Sequence, residues 1–212
     1  MNGSHDMKFV WWGTAGCGSR TTQVFLTQAG CKDLKNYVEG FEIPQTGSHT
    51  HLQGIPEGME DYPIICNVRN PYSKCVSSFL DETADKHHEN HGKSFKDWLL
   101  ELTHVDRIHT NSDHFYILDW EKIGRRPDYL IRLEHMEEDL RKLPMYQHTK
   151  YFEEAMTVVR NNSFKYENPR DEYKGEFQYF QKHYDQETAD IVYTYHKEYF
   201  ELGGYDKDSW KL

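Results

Sequence analysis

Apolar residues occur along this chain in short blocks whose period changes from one block to the next. Residues 8–12, KFVWW, form a continuous apolar run that stops at Gly13, the pattern of a buried strand. From Thr21 or Thr22 the period becomes helical: in TTQVFLTQAG, Val24, Leu26 and Ala29 mark an apolar face before Gly30. The next run, YVEGFEIPQTGSHTHLQGIPEG, is interrupted by Gly and Pro and reads mostly as loop, with one short strand over residues 37–41. YPIICNVRN, residues 62–70, is the clearest buried strand, and a helix follows at once in NPYSKCVSSFLDE. Asn70 suits its cap, and Pro71 suits the first helical position, where a missing N–H loses no hydrogen bond. Tyr72, Val76, Phe79 and Leu80 then align on one side.

After the polar interval DETADKHHENHGKS, residues Phe95, Trp98, Leu99 and Leu102 predict another amphipathic helix. HFYILDW fits either a strand or a short helix, whereas PDYLIRLEHMEEDL reads as strand, turn and acidic helix start. Helical period appears in YQHTKYFEEAMTVV, is lost through RNNSFKYENPRDEYKG, and returns in DQETADIVYTYHKEYFELGGY. There Ala189, Val192, Tyr193, His196 and Phe200 share a face. Two strand-to-helix junctions with ample chain between them predict an α/β fold whose parallel strands are joined by crossovers. With no internal repeat and no linker in view, one domain is expected over residues 8–212, behind a flexible leader at 1–7.

Composition narrows the function classes. The chain has 212 residues, 37% of them hydrophobic, enough for one sizeable core. A formal charge of −10 argues against a general nucleic-acid binder, which needs basic surface to meet phosphates. Cys17, Cys31, Cys66 and Cys75 form no CxxC pair and are expected as reduced thiols. No stretch approaches the roughly 20 apolar residues that cross a bilayer. A cytoplasmic protein is expected, although a catalytic domain trimmed from a secretory-pathway membrane protein would show the same pattern.

The candidate chemistry begins in GTAGCGSRTT, residues 13–22. A glycine-rich turn between strand and helix exposes backbone N–H groups at the positive end of the helix, where phosphate or sulfate binds well. Gly16, Cys17 and Gly18 supply the turn, Ser19, Thr21 and Thr22 supply hydroxyls, and Arg20 supplies a fixed charge. Gly13 and Gly18 have Walker A spacing, but Ser19 and Arg20 stand where that motif has Lys followed by Ser or Thr. The same glycines would equally serve a tight structural turn that lets helix approach sheet. At the second junction Arg69 ends a strand and Ser77 lies two turns into the following helix. Ligands of open α/β sheets gather outside the carboxyl ends of strands, where an arginine grips phosphate bidentately. The alternative role for Arg69 is a salt bridge to one of the many acids.

VRNPYSKCVSSFLDE resembles the 3′-phosphate-binding strand, loop and helix of sulfotransferases that use 3′-phosphoadenosine 5′-phosphosulfate (PAPS). PDYLIRLEHMEEDL and the closing NPRDEYKGEFQYFQKHYDQETADIVYTYHKEYFELGGYD are similar to segments of that family's carbohydrate-type branch. The resemblance implies a P-loop-like three-layer fold with a central, mostly parallel sheet flanked by helices. It implies that Arg69 and Ser77 hold the 3′-phosphate, that the first loop cradles the 5′-phosphosulfate, and that Lys165 and Arg170 add phosphate contacts. It further implies PAPS as cosubstrate, adenosine 3′,5′-bisphosphate as product, and a carbohydrate or small-molecule acceptor. The family's loop lysine has no counterpart here: aligning the strand puts Thr14 in its place, aligning the threonine pair puts Gly18 there, and Arg20 is the nearest cation.

Sulfuryl transfer also needs a group that takes the acceptor's proton. His49 and His51 in GSHTHLQG are candidates, because an imidazole in general titrates near neutrality and this loop lies between the two phosphate-binding blocks, with surface or structural histidine as the alternative reading. Glu42, Asp81 and Glu82 are acidic candidates for the same task. His87, His88 and His91 have zinc-compatible spacing but no well-placed further ligands, so no metal is expected. Two other classes remain: a nucleotide-binding phosphotransferase related to kinases, which the Walker spacing suggests, and a non-catalytic nucleotide-binding module.

Overall fold

A computed structural model describes residues 2–4, 7–14, 16–28, 31, 55, 57–84, 90–104, 125–144, 146, 153–154, 156–157 and 177–211. Its strands are β1 (Asn2–Ser4), β2 (Phe9–Trp12), β3 (Ile64–Val68) and β4 (Tyr129–Arg132). The helices are α1 (Ser19–Gln28), α2 (Pro71–Ala84), α3 (Phe95–His104), α4 (Met136–Leu140) and α5 (Gln186–Gly203), with 3₁₀ segments at Leu133–His135 and Phe177–His183. The chain divides into two compact units. One comprises Met1–Val68 with Asp119–Gly175, the other Arg69–Leu118 with Glu176–Leu212.

The first unit is built on a four-stranded sheet in the order β1-β2-β3-β4. β2, β3 and β4 run parallel, so the α/β expectation with parallel strands holds. β2 and β3 are buried at every position, which is why β2 appears in sequence as an unbroken apolar run and β3 as one interrupted only at Asn67, neither of them alternating. The register places Phe9, Trp11, Ile65, Asn67 and Ile131 on one face of the sheet. There Phe9, Trp11, Ile65 and Ile131 join Phe25 and Leu26 of α1, Met136 and Leu140 of α4, and Met156 in one apolar cluster. Residues 2–4 pair antiparallel with β2, Asn2 opposite Trp11 and Ser4 opposite Phe9. That pairing occupies backbone groups that an edge strand would otherwise leave open.

Leu26 is buried on α1 as predicted, together with Phe25 beside it and Thr22 one turn before it, whereas the side chain of Val24 and Ala29 lie outside the described residues. The predicted strand, turn and acidic helix start at 129–140 are present. Asp139, which reads in sequence as one of three acids favouring a helix start, is instead the buried partner of Arg132. Arg132 Nε and Nη2 donate to the two carboxylate oxygens at 2.8 and 2.7 Å, and the Arg132 backbone N–H adds a bond of 3.0 Å. This fork ties the end of β4 to α4. The short strand expected at 37–41, HFYILDW and most of YQHTKYFEEAMTVV lie outside the described residues.

The second unit packs α2, α3 and α5 around Tyr72, Val76, Phe79, Phe95, Trp98, Leu99, Ala189, Val192 and Phe200. These are the apolar faces the helical period predicts. Pro71 opens α2, and Tyr72 N–H donates to Asn70 Oδ1 at 3.0 Å, the predicted cap. α5 begins with a reciprocal capping box between Asp185 and Thr188 and kinks at His196, whose φ is −117° and ψ 18°. Beyond it, Tyr205 N–H reaches Phe200 C=O at 2.9 Å and closes the helix.

Burial raises the Asp139 carboxyl pKa, but the hydrogen bonds and charge of Arg132 outweigh it and hold the group below its ordinary value. Its stabilising contribution is therefore present above the unfolded value of about 3.9 and is lost as pH falls through the lower folded value. Asp139→Asn should cost about 2 kcal/mol at neutral pH, because it removes the charge from hydrogen bonds made by a buried carboxylate to a partly exposed arginine. In urea unfolding, the gap between variant and wild type should shrink toward pH 2.

Candidate functional site

In the first unit the predicted anion loop does join a buried strand to a helix. Cys17 N–H donates to Thr14 C=O at 3.2 Å, which closes a turn, and Thr22 N–H donates to Gly18 C=O at 3.0 Å, the first bond of the α1 ladder. The amides of residues 19–21 therefore precede that ladder, as the first amides of any helix do. Gly16 and Gly18 sit at φ 68° and 76°, in left-handed territory that other residues enter only with strain. At Gly18 the space is also closed: a Cβ there would collide with Met136 Cε and stand 2.8 Å from Leu133 Cδ1.

A residue that periodicity does not single out governs this loop. Asn67, in the middle of β3, is fully buried. Trp11 Nε1 donates to its Oδ1 at 2.7 Å, while its Nδ2 donates to Thr22 Oγ1 at 2.8 Å and to Cys17 C=O at 3.3 Å. An indole nitrogen only donates and a carbonyl only accepts, so the amide orientation is fixed by its neighbours. Thr22 is itself fully buried, its hydroxyl turned to Asn67. Thr14 is buried as well, with Oγ1 3.6 Å from Cys66 Sγ. Ser19, Thr21 and Gly18 are half-buried. Arg20 lies on α1, but its side chain is outside what the structure describes.

In the second unit, Arg69 is held at both ends. Its backbone N–H donates to the buried Tyr199 hydroxyl at 3.2 Å, and its Nε donates to Ser73 Oγ at 2.8 Å. Ser73 and Ser77 stand one turn apart on α2 and so share a face. The arginine and the two serines thus form a row in which only Arg69 and Ser77 are evident from sequence. The turn before α2 is braced further: Asn70 Nδ2 donates to Ser209 Oγ at 2.9 Å, and Tyr72 O–H donates to Lys207 C=O at 2.6 Å. Lys74 is buried, with Nζ 5.9 Å from the centre of the Tyr199 ring.

One arrangement has the composition of a nucleophile and base without the electrostatics. Cys75 Sγ lies 3.9 Å from His196 Nε2, both buried in the second unit. Burial pushes the Cys75 thiol up to about 12, against a smaller opposing influence of Lys74, so it stays protonated at neutral pH. Burial likewise raises the Tyr72 and Tyr184 hydroxyls, which serve as hydrogen-bond donors.

His49, His51, Lys165 and Arg170 lie outside the described residues, as do Glu42, His87 and His88 and the side chain of Asp81. Glu82 is engaged structurally, its Oε2 accepting from Asn90 Nδ2 and Trp98 Nε1 at 2.7 Å each. His91 Nδ1 faces Thr83 C=O at 2.9 Å. All four cysteines are buried free thiols, and among the described residues no helix is long and apolar enough to cross a membrane. No family model, curated protein or solved structure matches the chain.

Gly18 links the sheet-facing and loop-facing halves of the first unit through both its φ and its closed space. Gly18→Ala should lower stability by about 2 kcal/mol, read as a shift of the urea midpoint with an unchanged slope. An equally stable alanine variant would show that the close approach to Met136 and Leu133 relaxes freely.

Proposed function

We propose that the protein is a PAPS-dependent sulfotransferase with a P-loop-like fold, moving a sulfuryl group to a hydroxyl of a carbohydrate or small metabolite. The observation that supports this reading most directly is the Arg69 row: a guanidinium bonded to Ser73, with Ser77 one turn further along the same face. A planar cation bonded to one serine, with a second serine on the same helix face, is a donor set suited to a phosphomonoester. The resemblance of VRNPYSKCVSSFLDE assigns that role to the 3′-phosphate. The loop of residues 16–22 fits a second anion through the amides ahead of the α1 ladder.

When bound, PAPS supplies the sulfuryl group and an adenosine 3′,5′-bisphosphate leaving group. On this reading the loop amides and the hydroxyls of Ser19 and Thr21 steady the 5′ end, and Arg20 stands in for the absent lysine as negative charge grows on the leaving oxygen. His49 or His51 takes the acceptor's proton while the acceptor oxygen bonds to sulfur and the sulfur-to-phosphate oxygen bond breaks. Lys165 and Arg170 add phosphate contacts. The four free thiols suit a reducing compartment such as the cytoplasm.

Titration calorimetry with adenosine 3′,5′-bisphosphate tests the reading. Wild type should bind, and Arg69→Ala should weaken binding on the order of tenfold to hundredfold, the worth of charged hydrogen bonds. No binding by wild type would sink the nucleotide assignment. Transfer of labelled sulfate from PAPS to a panel of sugars and small alcohols then separates an enzyme from a non-catalytic module. Arg20→Ala should lower that transfer about a hundredfold, and an unchanged rate would remove Arg20 from the mechanism.

A further inference from the structure

We infer that Asn67 is a positioning residue for the anion loop, and that Thr22 is its lock and not a contact to the ligand. The inference rests on the sulfotransferase reading only for the identity of the ligand. Asn67 uses both of its amide hydrogens on the loop side: one on Cys17 C=O, immediately before the Gly18 that opens α1, the other on Thr22 Oγ1. Thr22 N–H in turn closes the first helical bond on Gly18 C=O. The stretch bearing the amides of residues 19–21 is thereby gripped at both ends from one side chain. The third bond, from Trp11 Nε1, fixes the hub to β2, so the grip is referred to two neighbouring strands of the sheet.

Burial makes this arrangement demanding. Asn67 and Thr22 are fully buried, and a polar group left unpaired there costs more than a made hydrogen bond returns. A core residue kept only for packing would be apolar at this position, as Ile65 and Ile131 are on the same face of the sheet. The direction of the donated bonds distinguishes positioning from filling: both run toward the loop. A hydroxyl engaged in this way sets where Ser19 and Thr21 begin their helix, and so where their amides point.

The test uses the full chain with two ligands, adenosine 3′,5′-bisphosphate and adenosine 3′-monophosphate, and two variants, Asn67→Ser and Thr22→Val. Only the first ligand carries the 5′-phosphate that the loop is assigned. Both variants should lose about tenfold in affinity for the bisphosphate and keep wild-type affinity for the monophosphate. In the free protein, amide hydrogen exchange at Thr22 and the α1 amides up to Leu26 should quicken about tenfold while β4 stays unchanged. Equal losses on both ligands would reduce Asn67 to a merely structural residue, and unchanged exchange at 22–26 would overturn the inference outright. If wild type binds neither nucleotide, the sulfotransferase reading fails, and the exchange result alone decides whether Asn67 grips the loop. Thr22→Val, which removes one hydroxyl from a helix side chain, carries the test should Asn67→Ser not fold.

Discussion

A primary amide in the middle of a fully buried strand must find partners for two donors and an acceptor, or β3 would carry a large penalty. Asn67 meets that demand with one donor-only group, one acceptor-only group and one hydroxyl, contributed by β2, by the turn after it and by α1. Each partner restricts the chain it belongs to. Trp11 must pair in the register that brings its indole to Asn67, Cys17 must present its carbonyl inward, and α1 must begin where Thr22 can reach. The apolar cluster of Phe9, Phe25, Leu26, Ile65 and Ile131 supplies the non-directional share of the stability. The amide supplies the direction, since apolar contacts alone tolerate small slips that hydrogen bonds in a dry interior do not.

The second unit solves a similar problem at its edge with local caps and tyrosine hydroxyls. Arg69 has its backbone fixed by Tyr199 and its guanidinium fixed by Ser73, while Asn70 caps α2 and reaches Ser209. An arginine side chain loses up to about 2 kcal/mol of rotamer freedom when it is ordered. On the proposed reading, a guanidinium already bonded to Ser73 would have met part of that cost before an anion arrives, which would favour affinity through preorganisation.

Legibility from sequence follows the range of the interaction concerned. β2, β3, the cap at Asn70 and the inward faces of α2, α3 and α5 are written in spacings of two to four residues, and these the chain shows plainly. The pairing of Asp139 with Arg132, seven residues apart, is already hidden, because three adjacent acids at a helix start satisfy the dipole rule equally well. Asn67 and Trp11 are 56 positions apart, and Arg69 and Tyr199 are 130 apart. No local period encodes such pairs. Tyr199 is one of 15 tyrosines, and its neighbours in sequence give no sign that its hydroxyl meets a backbone amide. The one available hint for Asn67 is the break in IICNV, where a polar residue interrupts a strand with no solvent face. A residue of that kind has to be satisfied from elsewhere in the chain, so it marks a long-range contact even when its partner cannot be named.

On the proposed sulfotransferase reading, the absence of a loop lysine would give that contact its functional weight. A lysine in an anion loop is a mobile point charge that can follow its ligand through small displacements. Backbone amides cannot follow: their value depends on being aimed beforehand at the place where charge develops, with little reorganisation at the moment of transfer. A loop that relies on amides and on an arginine carried by the helix itself therefore needs its helix start held more firmly than one equipped with a lysine. In this chain the groups placed to supply that firmness are Asn67 and Thr22, which share a buried hydrogen bond, while Gly18 leaves room for Met136 and Leu133 beside the turn. On that reading, the absence of a lysine and the buried amide under the loop would answer one physical requirement: a cradle that cannot adjust must be fixed in the right place.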